Sequence, residues 1–206
     1  MREKNNLIVI EDSADTIGHT INNEKTRNFS DISTTSFVIF DRDGTLIEPV
    51  PYLKDSSKVR LLKNTISGLH LLKKLGFYFG IVTNQSVIGR GFATVEEVNL
   101  VNKTMLDILK NEKIYFDFIS ICPHTPTDLC ECRKPKSELG LSAIKNYKID
   151  ASKSFMIGDA ASDIQFGHMI GFKSIQIGKS IVTNADFVAS DILDAANWIQ
   201  SDLKGN

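Results

Sequence analysis

Residues 37–45, Phe-Val-Ile-Phe-Asp-Arg-Asp-Gly-Thr, run from an unbroken apolar stretch directly into two carboxylates one residue apart. The apolar part has the length and the β-branched or aromatic content of a buried strand, and Gly44 lets the chain turn sharply at its end. Asp41 and Asp43 then project from the carboxyl edge of a sheet, the edge where ligands bind in open α/β folds. Two acidic groups this close repel each other unless a cation lies between them, and magnesium, which prefers oxygen ligands, suits that place. With the charge neutralised, Asp41 can attack phosphorus and form an aspartyl-phosphate. Asp43 can protonate the leaving oxygen and later deprotonate the attacking water. An isolated Asp-x-Asp is more often a solvated turn; the strand before this pair and the Gly-Thr after it shift the reading to phosphoryl transfer.

The remaining parts of such a site follow in order. Residues 77–83, Phe-Tyr-Phe-Gly-Ile-Val-Thr, form a second apolar strand ending in Thr83-Asn84-Gln85-Ser86, whose hydroxyl and amide groups suit a phosphate oxygen. Arg133-Lys134-Pro135-Lys136 places cations ahead of a helical stretch, and one ammonium near the phosphoryl oxygens offsets charge in the transition state. Residues 154–159, Ser-Phe-Met-Ile-Gly-Asp, repeat the strand-into-acid pattern, with Asp163 four residues further on. Asp159 is expected to supply a second metal carboxylate, and Asp163 to orient the site. Each element taken singly has a plain alternative, a polar loop or a solvated basic cluster. Four in one order point to one site.

Asp41-x-Asp43-Gly-Thr45, Thr83, Lys134 and Gly158-Asp159-x-x-x-Asp163 together resemble the motifs of the haloacid dehalogenase superfamily of phosphatases, over roughly residues 37–180. The resemblance implies an α/β, Rossmann-like three-layer fold with a parallel sheet. It also implies Mg2+ dependence, with Asp41 as nucleophile and Asp43 as general acid and base. Thr83 and Lys134 would steady the phosphoryl group, and Asp41, Asp159 and the Asp43 backbone carbonyl would hold magnesium.

All three cysteines of the chain and one of its four histidines fall in Cys122-Pro-His124-Thr-Pro-Thr-Asp-Leu-Cys130-Glu-Cys132. Three thiolates and an imidazole within so short a loop match a closed, tetrahedral Zn2+ site, which orders a loop rather than activating water. Disulfide pairing or independent buried thiols are the alternatives; Cys130 and Cys132 are too close for easy bridging. Because Arg133 and Lys134 follow Cys132 directly, the metal would also fix both cations relative to the carboxylates.

This loop resembles the branch of the superfamily containing D,D-heptose 1,7-bisphosphate phosphatase and histidinol-phosphatase. Residues 82–86 followed by Gly89-Arg90-Gly91 lean toward the heptose enzymes, while residues 126–136 lean toward the histidinol enzymes. The resemblance implies removal of the 7-phosphate of a heptose 1,7-bisphosphate, with histidinol phosphate as the other substrate. Arg42, Tyr52, Asn84, Gln85, Ser86 and Arg133 would contact substrate. Two residues depart from the pattern: Val87 stands where the heptose family has glycine, and Ala160 where both families place a basic residue. A reading of another class, a non-catalytic zinc-stabilised binding module, is opposed by the intact Asp41, Asp43, Lys134 and Asp159.

The 206 residues, 42% hydrophobic and 24% charged, suffice for one well-buried domain, expected over 37–206. A formal charge of -1 gives no basic excess for nucleic acid, and no apolar run approaches a membrane span. A monomeric, cytoplasmic enzyme acting on a small phosphorylated metabolite is expected. Residues 1–36 form a separate N-terminal extension whose stretch 6–18, continued by 30–36, resembles a fragment of pyridoxal-phosphate sugar aminotransferases; it stops before that family's lysine region, so no working pyridoxal site is expected. Helices are expected over 61–75, 94–113 with a Thr94/Glu97 capping box, 137–147, 161–170 and 189–203, and further strands over 116–121 and 173–177.

Overall fold

The apolar run forms strand β1 (Phe37–Phe40), in which every residue is buried. A computed structural model describes residues 34–178 and 184–205; the aminotransferase-like stretch lies outside them apart from its last three residues. β1 is paired in parallel on both sides, with β2 (Tyr78–Asn84) and with β4 (Phe155–Gly158). β3 (Phe118–Cys122) continues the sheet beyond β2, and β5 (Lys173–Ile177) and β6 (Phe187–Ala189) continue it beyond β4. The order β3-β2-β1-β4-β5-β6 is all parallel. Its direction reverses between β1 and β4, and the crevice outside the carboxyl ends of strands at such a reversal is where α/β folds bind ligands.

Successive side chains of a strand point to opposite faces, and β1 divides its residues accordingly. Val38 and Phe40 join one core with Leu69 and Leu72 of α1 (Thr65–Lys74), Val98, Val101 and Met105 of α3 (Val95–Asn111), and Ile192 and Ile199 of α6 (Ile192–Gly205). Phe37 and Ile39 join the other, with Leu139 and Ala143 of α4 (Glu138–Tyr147) and Phe166 of α5 (Ala161–Met169). Covering both faces produces the expected three layers. Each such aliphatic side chain contributes roughly 1.5–3 kcal/mol by leaving water. Trp198 is a packing residue, stacked on Phe187 with ring centroids 5.1 Å apart.

Several boundaries differ from expectation for local reasons. The helix expected over 61–75 begins only at Thr65, because Leu61 forms an antiparallel bridge with Ile47 and Asn64 adopts a left-handed conformation. The stretch around 189 divides into strand β6 and helix α6; the Asp191 side chain accepts from the Asp194 backbone and starts the helix. A short helix, α2 (Ser86–Gly89), follows β2 directly after the polar strand end. The Thr94 capping box is present, with Thr94 Oγ1 accepting from Glu97 N and Glu97 Oε2 accepting from Thr94 N. At the other end of the sequence, Thr35 bridges Ile149 and its hydroxyl donates to Tyr147 O, so residues 34–36 pack with the sheet domain.

Candidate active site

Asp41, the first residue after β1, keeps its backbone in the sheet by donating from N to Ile157 O at 2.9 Å. Its side chain therefore stands at the carboxyl ends of β1 and β4, where Asp159 follows β4. One carboxylate oxygen from each of Asp41, Asp159 and Asp163 lies within 4.8 Å of the others. Burial, with Asp41 and Asp163 close by, pushes the Asp159 carboxyl up to about 6. Burial, aggravated by Asp41, likewise raises Asp163, against the pull of Lys134. Carboxylates brought together at this energetic cost fit a hard cation with oxygen ligands.

Gly44 makes the approach of Asp159 possible. It has φ +78°, and a Cβ built there would collide with Asp159 Oδ2 and lie 2.7 Å from Asp159 Cγ. Only glycine combines that backbone conformation with the necessary space.

Lys134 is 3% exposed and lies opposite the acids. Its ammonium donates to Asp41 Oδ1 at 2.7 Å and to Val82 O at 2.6 Å, and pairs with Asp163 Oδ1 at 2.7 Å. Burial alone would push this ammonium's pKa down, but Asp163 and Asp41 outweigh it and hold it above the usual lysine range. Asp163 also accepts from Ala160 N through Oδ2 at 3.0 Å, which caps the start of α5. One carboxylate thus ties the cation to the helix following β4.

Asp43 stands apart from that trio. Its Oδ2 accepts from Arg42 Nε at 3.0 Å and from Gln85 Nε2 at 2.8 Å, and its Oδ1 has no partner. The carboxylate is thus paired with Arg42 rather than with Lys134, and its second oxygen is buried without a partner. Gln85 Nε2 also donates to Thr83 Oγ1 at 2.9 Å, bringing the expected phosphoryl-holding hydroxyl into the same group.

The residues expected to contact substrate divide into two sets. Arg42, Gln85 and Asn84 are bonded inward. Arg42 is fully buried, with Nη1 donating to Asn102 Oδ1 at 2.6 Å and Nη2 to Gln85 Oε1 at 2.8 Å. Asn84 donates to Lys134 O at 3.1 Å and accepts from Lys134 N at 3.0 Å. Tyr52, by contrast, is 55% exposed and meets the exposed Phe92 edge-on at 4.9 Å. Ser86 opens α2, and Arg133 donates to His124 O at 3.1 Å. Asn102, a buried polar residue on α3, has no motif around it. Its only sequence signal is a polar side chain among the apolar positions Val98, Val101 and Met105.

The cysteine loop closes into a four-donor cluster. Cys122 Sγ lies 3.2 Å from Cys132 Sγ, 3.7 Å from Cys130 Sγ and 3.8 Å from His124 Nδ1, and His124 Nδ1 lies 3.2 Å from Cys132 Sγ. Ligands about 2.3 Å from a tetrahedral zinc stand roughly 3.8 Å apart, and all three thiols are free, so the donor set fits zinc. The Cys132 thiol donates to Cys122, pulling the latter's pKa down to about 5, while that same bond and burial raise its own. Gly89 N donates to Pro123 O at 3.0 Å, so this loop also braces the turn after β2.

The parallel sheet, the Asp-x-Asp at its reversal point and the lysine bound to the first aspartate agree with the haloacid-dehalogenase-like pattern, and the chain belongs to that family of hydrolases. Residues 131–202 match the HAD-hydrolase-like family model. The chain is 33% identical over 169 residues to the D-glycero-beta-D-manno-heptose-1,7-bisphosphate 7-phosphatase of Haemophilus influenzae, covering 77% of this chain and 91% of that protein. It is 42% identical over 142 residues to the histidine biosynthesis bifunctional protein HisB of Blochmanniella floridana, covering 68% of this chain. The chain spans only 40% of that bifunctional protein and 45% of its Legionella pneumophila (strain Lens) counterpart. In structure it is similar to a B. bronchiseptica D,D-heptose 1,7-bisphosphate phosphatase complexed with magnesium and phosphate: TM-score 0.74, 22% identity, covering 82% of this chain and 99% of that one. Among the described residues no helix is long and apolar enough to cross a membrane.

Proposed function

We propose that the protein is a magnesium-dependent phosphatase that removes the 7-phosphate of D-glycero-D-manno-heptose 1,7-bisphosphate through an aspartyl-phosphate at Asp41. The observation that carries the chemistry is the Lys134–Asp41 contact at 2.7 Å, which points one oxygen of the nucleophile at a fixed cation. Asp41, Asp159 and the Asp43 backbone carbonyl would hold Mg2+, which supplies charge neutralisation between nucleophile and phosphate. An oxygen of Asp41 forms a bond to phosphorus while the bond to the leaving oxygen breaks, and Asp43 gives that oxygen its proton. Lys134 and Thr83 hold the phosphoryl oxygens as charge develops. Water then attacks phosphorus, Asp43 takes back a proton, and Asp41 is released. Arg133 and Tyr52 are assigned to substrate recognition, and Cys122, His124, Cys130 and Cys132 to Zn2+.

Similarity at 33% identity over 91% of the length of a heptose phosphatase supports the sugar bisphosphate. Histidinol phosphate is the second reading, supported by the higher identity to the HisB proteins over a shorter span. Phosphate release from both compounds with added magnesium, with Asp41→Asn as the blank, decides between them. A clear preference for the heptose supports the first reading and preference for histidinol phosphate the second. No release from either by folded, metal-loaded protein would sink both.

A further inference from the structure

We infer that Arg42 is a positioning residue: it holds the Asp43 carboxylate against Gln85 and anchors both to Asn102 on α3. This deepens the phosphatase reading and rests on Asp43 acting as its general acid and base. Arg42 follows the nucleophile directly, yet its side chain is fully buried and turned inward. Its three nitrogens each have a separate acceptor: Nε donates to Asp43 Oδ2 at 3.0 Å, Nη1 to Asn102 Oδ1 at 2.6 Å and Nη2 to Gln85 Oε1 at 2.8 Å, with Nη2 also 2.9 Å from Asp43 Oδ2. A planar guanidinium fixes the directions of its acceptors relative to one another, which a lysine ammonium does not do.

The consequence for Asp43 is directional. Arg42 Nε and Nη2 and Gln85 Nε2 all converge on Oδ2, so Oδ1, which has no partner, is the oxygen that can carry a proton without displacing a donor. Gln85 is oriented by the same arginine, since Oε1 accepts from Nη2 and thereby commits Nε2 to Asp43 and Thr83. Asn102 uses only Oδ1, its Nδ2 being without a partner, so its contact in this network is with the arginine. A rigid helix thus sets the aim of a carboxylate it does not touch.

The test exploits the leaving group. Transfer from a primary-alkyl phosphate needs a proton delivered to the departing alkoxide, whereas p-nitrophenolate departs without one. kcat/KM reports only steps up to release of that group. Arg42→Lys is therefore expected to lower kcat/KM for whichever natural substrate the wild type hydrolyses by about a hundredfold, as misplacing a general acid does, while costing less than about tenfold on p-nitrophenyl phosphate. Asn102→Leu, remote from the reacting atoms, should show the same split in smaller measure, with folding of both variants checked by circular dichroism. Equal losses on the two substrates, or no loss in either folded variant, would overturn the assignment. A wild-type enzyme that releases no phosphate from any of these compounds would instead overturn the phosphatase reading beneath it.

Discussion

The Asn84 side chain closes a two-bond ring on the backbone of Lys134, donating to its carbonyl at 3.1 Å and accepting from its N–H at 3.0 Å. The end of β2 thereby sets the position of a lysine whose ammonium reaches Asp41. Asn84→Ala should lower kcat about tenfold with little change in KM, since a displaced electrostatic donor costs transition-state stabilisation rather than binding. Steady-state kinetics on the better substrate checks this.

Removing the ammonium itself is the larger change. Lys134→Met leaves Asp41 and Asp163 facing each other without their shared cation. Turnover should fall by at least about 10²- to 10³-fold. Breaking a buried pair should also cost roughly 3–5 kcal/mol in urea denaturation of metal-free protein, and magnesium should recover part of that loss.

The response to pH has a defined sign. Asp159 is raised from its ordinary 3.8 to about 6, so the folded state binds its proton more tightly than the unfolded chain does. Metal-free stability should therefore fall as pH rises between those two values, with the full penalty present above about 6. A cation reverses the penalty only when Asp159 is ionised. The rise in Tm on adding magnesium should be large at neutral pH and decline as pH falls through about 6. Asp159→Asn should reduce the slope, leaving the part that the raised Asp163 contributes, and weaken the magnesium response; thermal melts across pH read each one.

Gly44→Ala places a methyl group against the Asp159 carboxylate at a positive φ. Strain of roughly 1–3 kcal/mol and a weakened magnesium dependence of turnover are expected, measured by denaturation and by metal titration of activity.

The cysteine loop predicts a metal requirement of another kind. Zinc removal by a strong chelator, or Cys132→Ser, should lower Tm and abolish turnover that magnesium alone does not restore, because Cys132 precedes Arg133 and Lys134 without a break. Elemental analysis should find one zinc per chain in the untreated protein.

The parts of the site at strand ends were legible in the sequence because an apolar run stopping at Asp41, Thr83 or Asp159 fixes both the element and the direction of its last side chains. The thiol cluster was legible because rare residues were concentrated in one loop. The partners of those residues were not. Arg42, Asn84 and Gln85 have the chemistry of ligand-binding groups, and only the fold shows that they also bond to Asp43, Lys134 and Asn102. Helix boundaries shifted where a tertiary contact overrode periodicity, as when the bridge from Leu61 to Ile47 delayed α1 until Thr65. Strand β6 is three residues long, too short for alternation to register.

The parallel pairing of Val38 with Phe155 has a consequence for how the protein comes into being. On a ribosome β1 emerges before the neighbour that completes its flank, which is made more than a hundred residues later. Until β4 docks, β1 has an open hydrogen-bonding edge, and Asp41 lacks Asp159. Long-range parallel pairing of this kind forms slowly and leaves exposed edges during synthesis. The nascent chain thus carries an exposed strand edge over the same interval in which its carboxylate cluster is incomplete, and both conditions end with the arrival of one strand.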